Sequence, residues 1–222
     1  MADYINKHIL AQAYVRLDLD FEETSSEIDL VAIEKSLQLF FQQRARHFID
    51  EKIEVSVEFK EGSFKTLITV VGALYIAIGN YGDFRQGVQV LYDDAKWLAE
   101  SGARESIFQL GVRSNCVLRK EARVGIVGKL KRALDEVDLV VGEDGKASQR
   151  EQAARLERIS EEVSRIFELL TNPNDRECVR NGLKDAVAGL PMSPKTPERR
   201  EANETAVLNY RRYRKDIVAT LA

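Results

Sequence analysis

The sequence predicts an α+β protein, with a small N-terminal sheet and a crossover helix followed by a mainly helical bundle. Three observations carry that expectation. Two N-terminal segments alternate apolar and polar residues: Val15, Leu17, Leu19 and Phe21 against Arg16, Asp18 and Asp20, and Ile53, Val55, Val57 and Phe59 against Glu54, Ser56, Glu58 and Lys60. Period two with one charged side is the pattern of a half-exposed strand. From residue 84 onward apolar residues recur at helical spacing. Between these regions lies an uncharged run, residues 66–82 (TLITVVGALYIAIGNYG), in a chain that is 31% charged.

Taken in order, residues 14–21 are the first strand and residues 22–26 a polar break. Ser26 caps a helix reaching Ile49, with Ile28, Val31, Ala32, Leu37, Phe40, Phe41 and Phe48 as a broad apolar stripe. The second strand follows at residues 53–59. A strand-helix-strand unit places both strands in one sheet by a right-handed crossover. It also feeds a hairpin at Glu61, Gly62 and Ser63 if residues 64–71 form a third strand, for which Thr66, Ile68 and Val70 are suited. Residues 72–79 read as helix or as the continuation of that strand, and residues 79–82 as a turn.

Phe84, Val88, Leu91 and Leu98 define an amphipathic helix over residues 84–99, ended by Ser101 and Gly102. The rest reads as helical. A short helix covers 103–112. A longer one covers 117–141, with Leu118, Ile126, Leu130, Leu134 and Val137 on one side. Residues 142–145 are a loop, and Ser148 caps a helix whose seam is Leu156, Ile159, Val163, Ile166 and Leu170. Asn172, Pro173 and Asn174 stop that helix, another covers 175–188, and the last covers 201–221. Residues 190–197 hold three of the four prolines and are the best linker. The expected organisation is an N-terminal α+β region over 1–102 that includes the apolar hairpin, and a C-terminal helical region over 103–222.

Composition bounds the function. The net charge of -3 and pI near 5.6 disfavour non-specific nucleic-acid binding. Residues 1–102 hold 10 Lys+Arg and 17 Asp+Glu, a net of -7, and residues 103–222 hold 23 and 19, a net of +4. Two distant cysteines, Cys116 and Cys178, without a CxxC pattern, read as reduced thiols. With a first stretch lacking a basic and then apolar leader, they point to a cytoplasmic protein, with the periphery of a membrane as the other location.

No catalytic, cofactor or metal pattern survives. Gly125 to Lys129 (GIVGK) lacks the longer glycine loop and the hydroxyl after the lysine that a phosphate cradle needs. His8 and His47 have no ligand-spaced partners. Asp18 and Asp20 share a strand face and suit magnesium or acid–base work, but a third ligand is missing, so a solvated strand face is the preferred reading. Asp93 and Asp94 are adjacent on a helix and diverge by about 100°. In the last helix Ala206, Tyr210, Tyr213, Ile217 and Leu221 form a packing stripe, which leaves Arg211, Arg212, Arg214 and Lys215 for solvent or an anion.

The expected function is therefore non-enzymatic: a self-associating or accessory protein acting through the apolar hairpin at residues 63–102. Its interaction segment is Leu67, Ile68, Val70, Val71, Gly72, Leu74, Tyr75, Ile76 and Ile78, with Gly82, Asp83 and Phe84 as hinge or turn. The expected partner is a second copy or another protein, and Gly72→Asp or Ala77→Glu is expected to weaken assembly. Two alternatives stand beside it. One is a membrane-active effector or toxin inserting that hairpin, since Gly72, Ala73, Ala77 and Gly79 permit close packing and aromatic residues flank the run. The other is an adaptor for nucleic acid or an anionic surface through the basic residues of the last helix.

Overall fold

The computed structural model describes residues 9–18, 29–60, 65–142, 147–194 and 203–222. Ser26, Asp20, His8, the expected turn at 61–63 and the last three residues of the expected linker, 195–197, lie outside them. The chain is α+β and divides into two compact units, residues 1–128 and 129–222. The boundary expected at residue 102 falls inside a continuous helix.

The first unit contains β1 (Ile9–Leu17), α1 (Leu30–Phe48), β2 (Glu54–Lys60), β3 (Lys65–Val71), α2 (Leu74–Gly79), α3 (Phe84–Gln109) and β4 (Val117–Arg123). The sheet order is β2-β3-β1-β4, and every neighbouring pair is antiparallel. β1 and β2 are therefore parallel with β3 between them, and β3 and β4 are parallel with β1 between them. Each helical crossover skips one strand, which is the split β-α-β topology of ferredoxin-like folds. The crossover and the hairpin that the sequence offers as options are both present.

Helices α1 and α3 cover one face of the sheet. α1 runs along β2 and α3 along β1 and β4. The core between them takes Ala13, Val15, Val55, Val57, Ile68 and Val70 from the strands and Leu37, Phe41, Leu91 and Leu98 from the helices. Each fully buried aliphatic or aromatic side chain stabilises by roughly 1.5–3 kcal/mol. Gly102 sits where the helix approaches the sheet closely: an added Cβ would lie 2.9 Å from the Ala13 Cβ.

Several sequence expectations are corrected. β1 starts at Ile9: its first residues, Ile9, Leu10, Ala11 and Gln12, are buried on both sides of the strand and so do not alternate. α1 is capped by Asp29, whose carboxylate accepts from the Ala32 N–H at 3.0 Å. Its buried stripe narrows to Leu37, Phe41 and Ala45, and Val31 and Phe48 are exposed. α3 does not stop at Gly102. It runs to Gln109 and is closed off by Gly111, whose φ of 64° places it in the left-handed region. There the Gly111 N–H donates to the Phe108 carbonyl at 3.0 Å and the Val112 N–H to the Ile107 carbonyl at 3.2 Å, a Schellman end. Residues 117–123 are an edge strand rather than helix; the helix begins only at Gly125.

The second unit holds most of α4 (Gly125–Gly142), α5 (Gln149–Leu169), α6 (Pro173–Ala188) and α7 (Glu204–Thr220). Ser148 opens α5 with a reciprocal capping box to Glu151, as its sequence position implies. α5 ends at Leu169 with Leu170 as its C-cap, and Asn172 caps α6, with Pro173 at the first helical position. Arg176 donates from Nη1 to the carbonyls of Phe167 (3.0 Å) and Leu170 (2.9 Å), satisfying the end of α5. The seam Leu156, Ile159, Val163, Ile166 and Leu170 is buried, as are Leu130, Leu134 and Val137. Arg158 bridges α5 to Glu136 of α4 with two contacts of 3.1 Å. No helix among the described residues is long and apolar enough to cross a membrane.

Candidate functional site

The uncharged run splits into two kinds of structure. Its first part is β3, paired on both sides inside the sheet, and its second is the six-residue helix α2. Period two turns Thr66, Ile68 and Val70 toward the helices, where all three are buried. Leu74 and Ile78 are buried as well, whereas Leu67, Val71, Gly72, Tyr75 and Ile76 are half-buried. At Gly72 an added Cβ would meet Ile53 Cδ1 at 2.1 Å, and Ala77 is 1% exposed. Gly72→Asp and Ala77→Glu therefore probe the core, and an interface needs other variants.

The turn between α2 and α3 is built from the three residues the sequence singles out. Gly82 has φ 72°. Asp83 accepts from the Gln86 N–H at 2.9 Å and so caps α3. Phe84 opens that helix half-buried.

Beside this turn is a cluster of aromatic and acidic side chains. Phe48, the last residue of α1, stands edge-on to Trp97 of α3, with ring centroids 5.3 Å apart and an interplanar angle of 62°. They are 41% and 44% exposed. His47 stacks edge-on against Phe48 at 5.2 Å. The Tyr81 hydroxyl donates to the Phe48 carbonyl at 3.5 Å. Asp93, Asp94 and Trp97 lie three and four residues apart on α3 and share its surface. Burial, and then the neighbouring Asp93 carboxylate, push the Asp94 pKa up; burial and then Asp94 push Tyr81 up. A cation placed here meets π faces and a carboxylate together.

The sheet face turned away from the helices carries a different pattern. Strand register aligns Lys60, Lys65, Arg16 and Arg119 in one row across all four strands. Lys60, Arg16 and Arg119 are exposed and Lys65 is half-buried. The next row is Glu58, Leu67, Tyr14 and Glu121, and Glu58 and Glu121 form ion pairs with Lys60 and Arg119. Arg16 and Lys65 have no ion pair among the described residues. Beyond lies a polar row in which Gln12 donates to Thr69 Oγ1 at 3.2 Å and accepts from Arg123 at 3.1 Å.

In α7 the expected packing stripe is present. Ala206, Tyr210, Ile217 and Leu221 are buried, the Tyr210 hydroxyl donates to the Pro191 carbonyl at 3.0 Å, and Tyr213 bonds Glu157. That bond, ahead of burial, raises the Tyr213 pKa. Of the four basic residues, Arg212 lies over the Tyr213 ring at 4.6 Å. Arg211, Arg214 and Lys215 instead line an open recess of about 430 Å³ with Met192, Ser193 and Val218.

No group of three or more His, Cys, Asp or Glu suited to a metal occurs among the described residues. Gly125 has φ 46° and its added Cβ would sit 2.3 Å from the Ile9 carbonyl oxygen, so it serves close packing at the start of α4. Burial, then Asp175, raises the Cys178 pKa, which favours the protonated thiol.

Sequence reasoning did not find Phe48 as an exposed anchor, the basic row, or Met192 and Ser193 facing α7. The row was legible only with strand register, and β4 reads as helix. No protein family, no curated protein and no solved structure matches the chain.

Proposed function

We propose that the chain is a non-enzymatic, self-associating protein that assembles head to tail. The cluster of Phe48, Tyr81, Asp93, Asp94 and Trp97 on one copy takes the basic row of the next. The observation that carries this reading is the half-exposed Phe48–Trp97 pair beside two carboxylates. Large aromatics bordered by charge are the usual anchors of a protein interface. The complementary row, Lys60, Lys65, Arg16 and Arg119, supplies cations for those rings and carboxylates. The two surfaces lie on opposite faces of one sheet, the cluster on the face covered by α1 and α3 and the basic row on the other. Contact between them is heterologous, which makes rings or filaments rather than a two-fold dimer.

Most of this cluster belongs to the 63–102 segment, but its rim, not its apolar centre, is what the proposal uses. Membrane insertion of the segment requires stripping β3 from both of its neighbours, which leaves backbone groups unpaired.

Analytical ultracentrifugation of the full chain over 1–100 μM, together with the fluorescence of Trp97, the only tryptophan, tests the reading. We expect species heavier than the 25.2 kDa monomer and a blue-shifted emission on association. Trp97→Ala should weaken association by about ten-fold or more, in the range of an interface anchor. Asp93→Lys/Asp94→Lys and Lys65→Glu/Arg119→Glu should each abolish it, and mixing the two variants should restore it. A wild-type monomer at all concentrations, or no recovery on mixing, overturns the proposal.

A further inference from the structure

We infer that the recess on α7 is a binding site for a phosphate monoester, a role separate from self-association. Arg211, Arg214, Lys215 and Val218 fall at i, i+3, i+4 and i+7 of one helix, so they line a single stripe. Met192 and Ser193 face that stripe and complete a recess of about 430 Å³, the size of a small-molecule site. No carboxylate lines it among the described residues. The Arg214 Nε is buried without a hydrogen-bond partner among those residues, which is uncommon for a charged donor. Arg211 donates to the Ser193 hydroxyl at 3.5 Å, the outer limit of a hydrogen bond, and is easily drawn to a better acceptor.

Three positive charges and two planar guanidinium forks suit a dianion with three terminal oxygens better than a single carboxylate. A phosphate monoester carries that charge near neutral pH. Met192 and Val218 are both exposed at the recess and offer apolar contact to the carbon skeleton the phosphate is attached to. A nucleic-acid strand is disfavoured because Tyr210 is buried and Tyr213 is engaged by Glu157 and covered by Arg212, so neither ring is free for base stacking. The same headgroup chemistry occurs in soluble phosphate esters and in phospholipids that end in a monoester.

The test is titration of the full chain with glycerol 3-phosphate, followed by calorimetry, and flotation with phosphatidylcholine vesicles with and without phosphatidic acid. Both are run on wild type, Arg214→Gln and Arg212→Gln, with circular dichroism as the check on folding. We expect saturable binding that Arg214→Gln weakens by about ten-fold and Arg212→Gln by less than about two-fold, since Arg212 points over Tyr213. Flotation that depends on phosphatidic acid and on Arg214 assigns a lipid source; binding of the soluble ester without flotation assigns a soluble one. No saturable binding to either probe, equal losses in the two variants, or tighter binding to a single-stranded oligonucleotide overturns the proposal. The measurements are repeated with Trp97→Ala, so loss of self-association cannot be mistaken for loss of the site.

Discussion

Asp94 is held in a place that disfavours its charge. Burial and the adjacent Asp93 raise its pKa in the folded state. For a carboxylic acid this sign means that the native state binds the proton more tightly than the unfolded chain does. Stability is then greatest below the unfolded value of about 3.9 and falls as pH rises through the raised folded value. Asp94→Asn should therefore stabilise the dilute monomer at pH 7 by a few tenths of a kcal/mol, the scale of a surface change. The gain should shrink as pH is lowered toward about 4. Urea denaturation at several pH values measures it. The same variant should associate more weakly, because the proposed contact needs the carboxylate. Stability and association moving in opposite directions is the signature of a residue kept for binding rather than for folding.

At the scale of elements, the two edges of the sheet are protected differently. β2 is covered by α1. The Gln42 side-chain amide donates to the Ile53 carbonyl, its carbonyl accepts from the Val55 N–H at 2.9 Å, and Gln38 donates to the Val55 carbonyl at 3.2 Å. Two side chains thus stand in for a missing strand. Gln42→Ala should cost about 1–3 kcal/mol by stranding two backbone groups, and Gln38→Ala less, as read by chemical denaturation. Greater aggregation of Gln42→Ala would follow from the bared edge.

The other edge, β4, relies on charge. Arg119 and Arg123 flank Glu121 on one face. Burial pushes the Glu121 pKa up, but the hydrogen bond from Arg123 and the charges of both arginines outweigh it and hold the value low. This strategy explains why the strand was illegible. Leu118, Arg119, Lys120, Glu121 and Ala122 are all good helix formers, and an edge strand with little to bury shows no alternation. Pairing with β1 decides its state, as tertiary context commonly does for strands.

Across the whole molecule, the charge contrast depends on where the units divide. The sequence halves at residue 102 differ by -7 against +4, but residues 1–128 hold 15 Lys+Arg and 19 Asp+Glu, a net of -4, and residues 129–222 hold 18 and 17, a net of +1. The bases of residues 103–128 belong with the sheet. The acidic and basic surfaces relevant to assembly therefore lie within one unit. Their attraction is screened at a Debye length of about 10 Å in 0.1 M salt. Sedimentation at about 50 mM and 500 mM salt should show association weakening several-fold but persisting, since the Phe48–Trp97 contact is apolar. Association unchanged or strengthened at high salt would remove the basic row from the interface.

The sequence by itself determined the α+β class, the alternating strand β2, the helical seam of α5 with its Ser148 cap, and the buried and exposed sides of α7. Each is written in a local period or a capping residue, and local periods survive in one dimension. Only the tertiary structure decided that β3 lies between two strands, that residues 117–123 close the sheet, and that Gly102 marks a close approach and not a helix end. It also brought Phe48 to Trp97, aligned Lys60, Lys65, Arg16 and Arg119, and set Ser193 against Arg211. Those relations join residues far apart in the chain, and strand register and helix docking, which local spacing does not encode, are what create them.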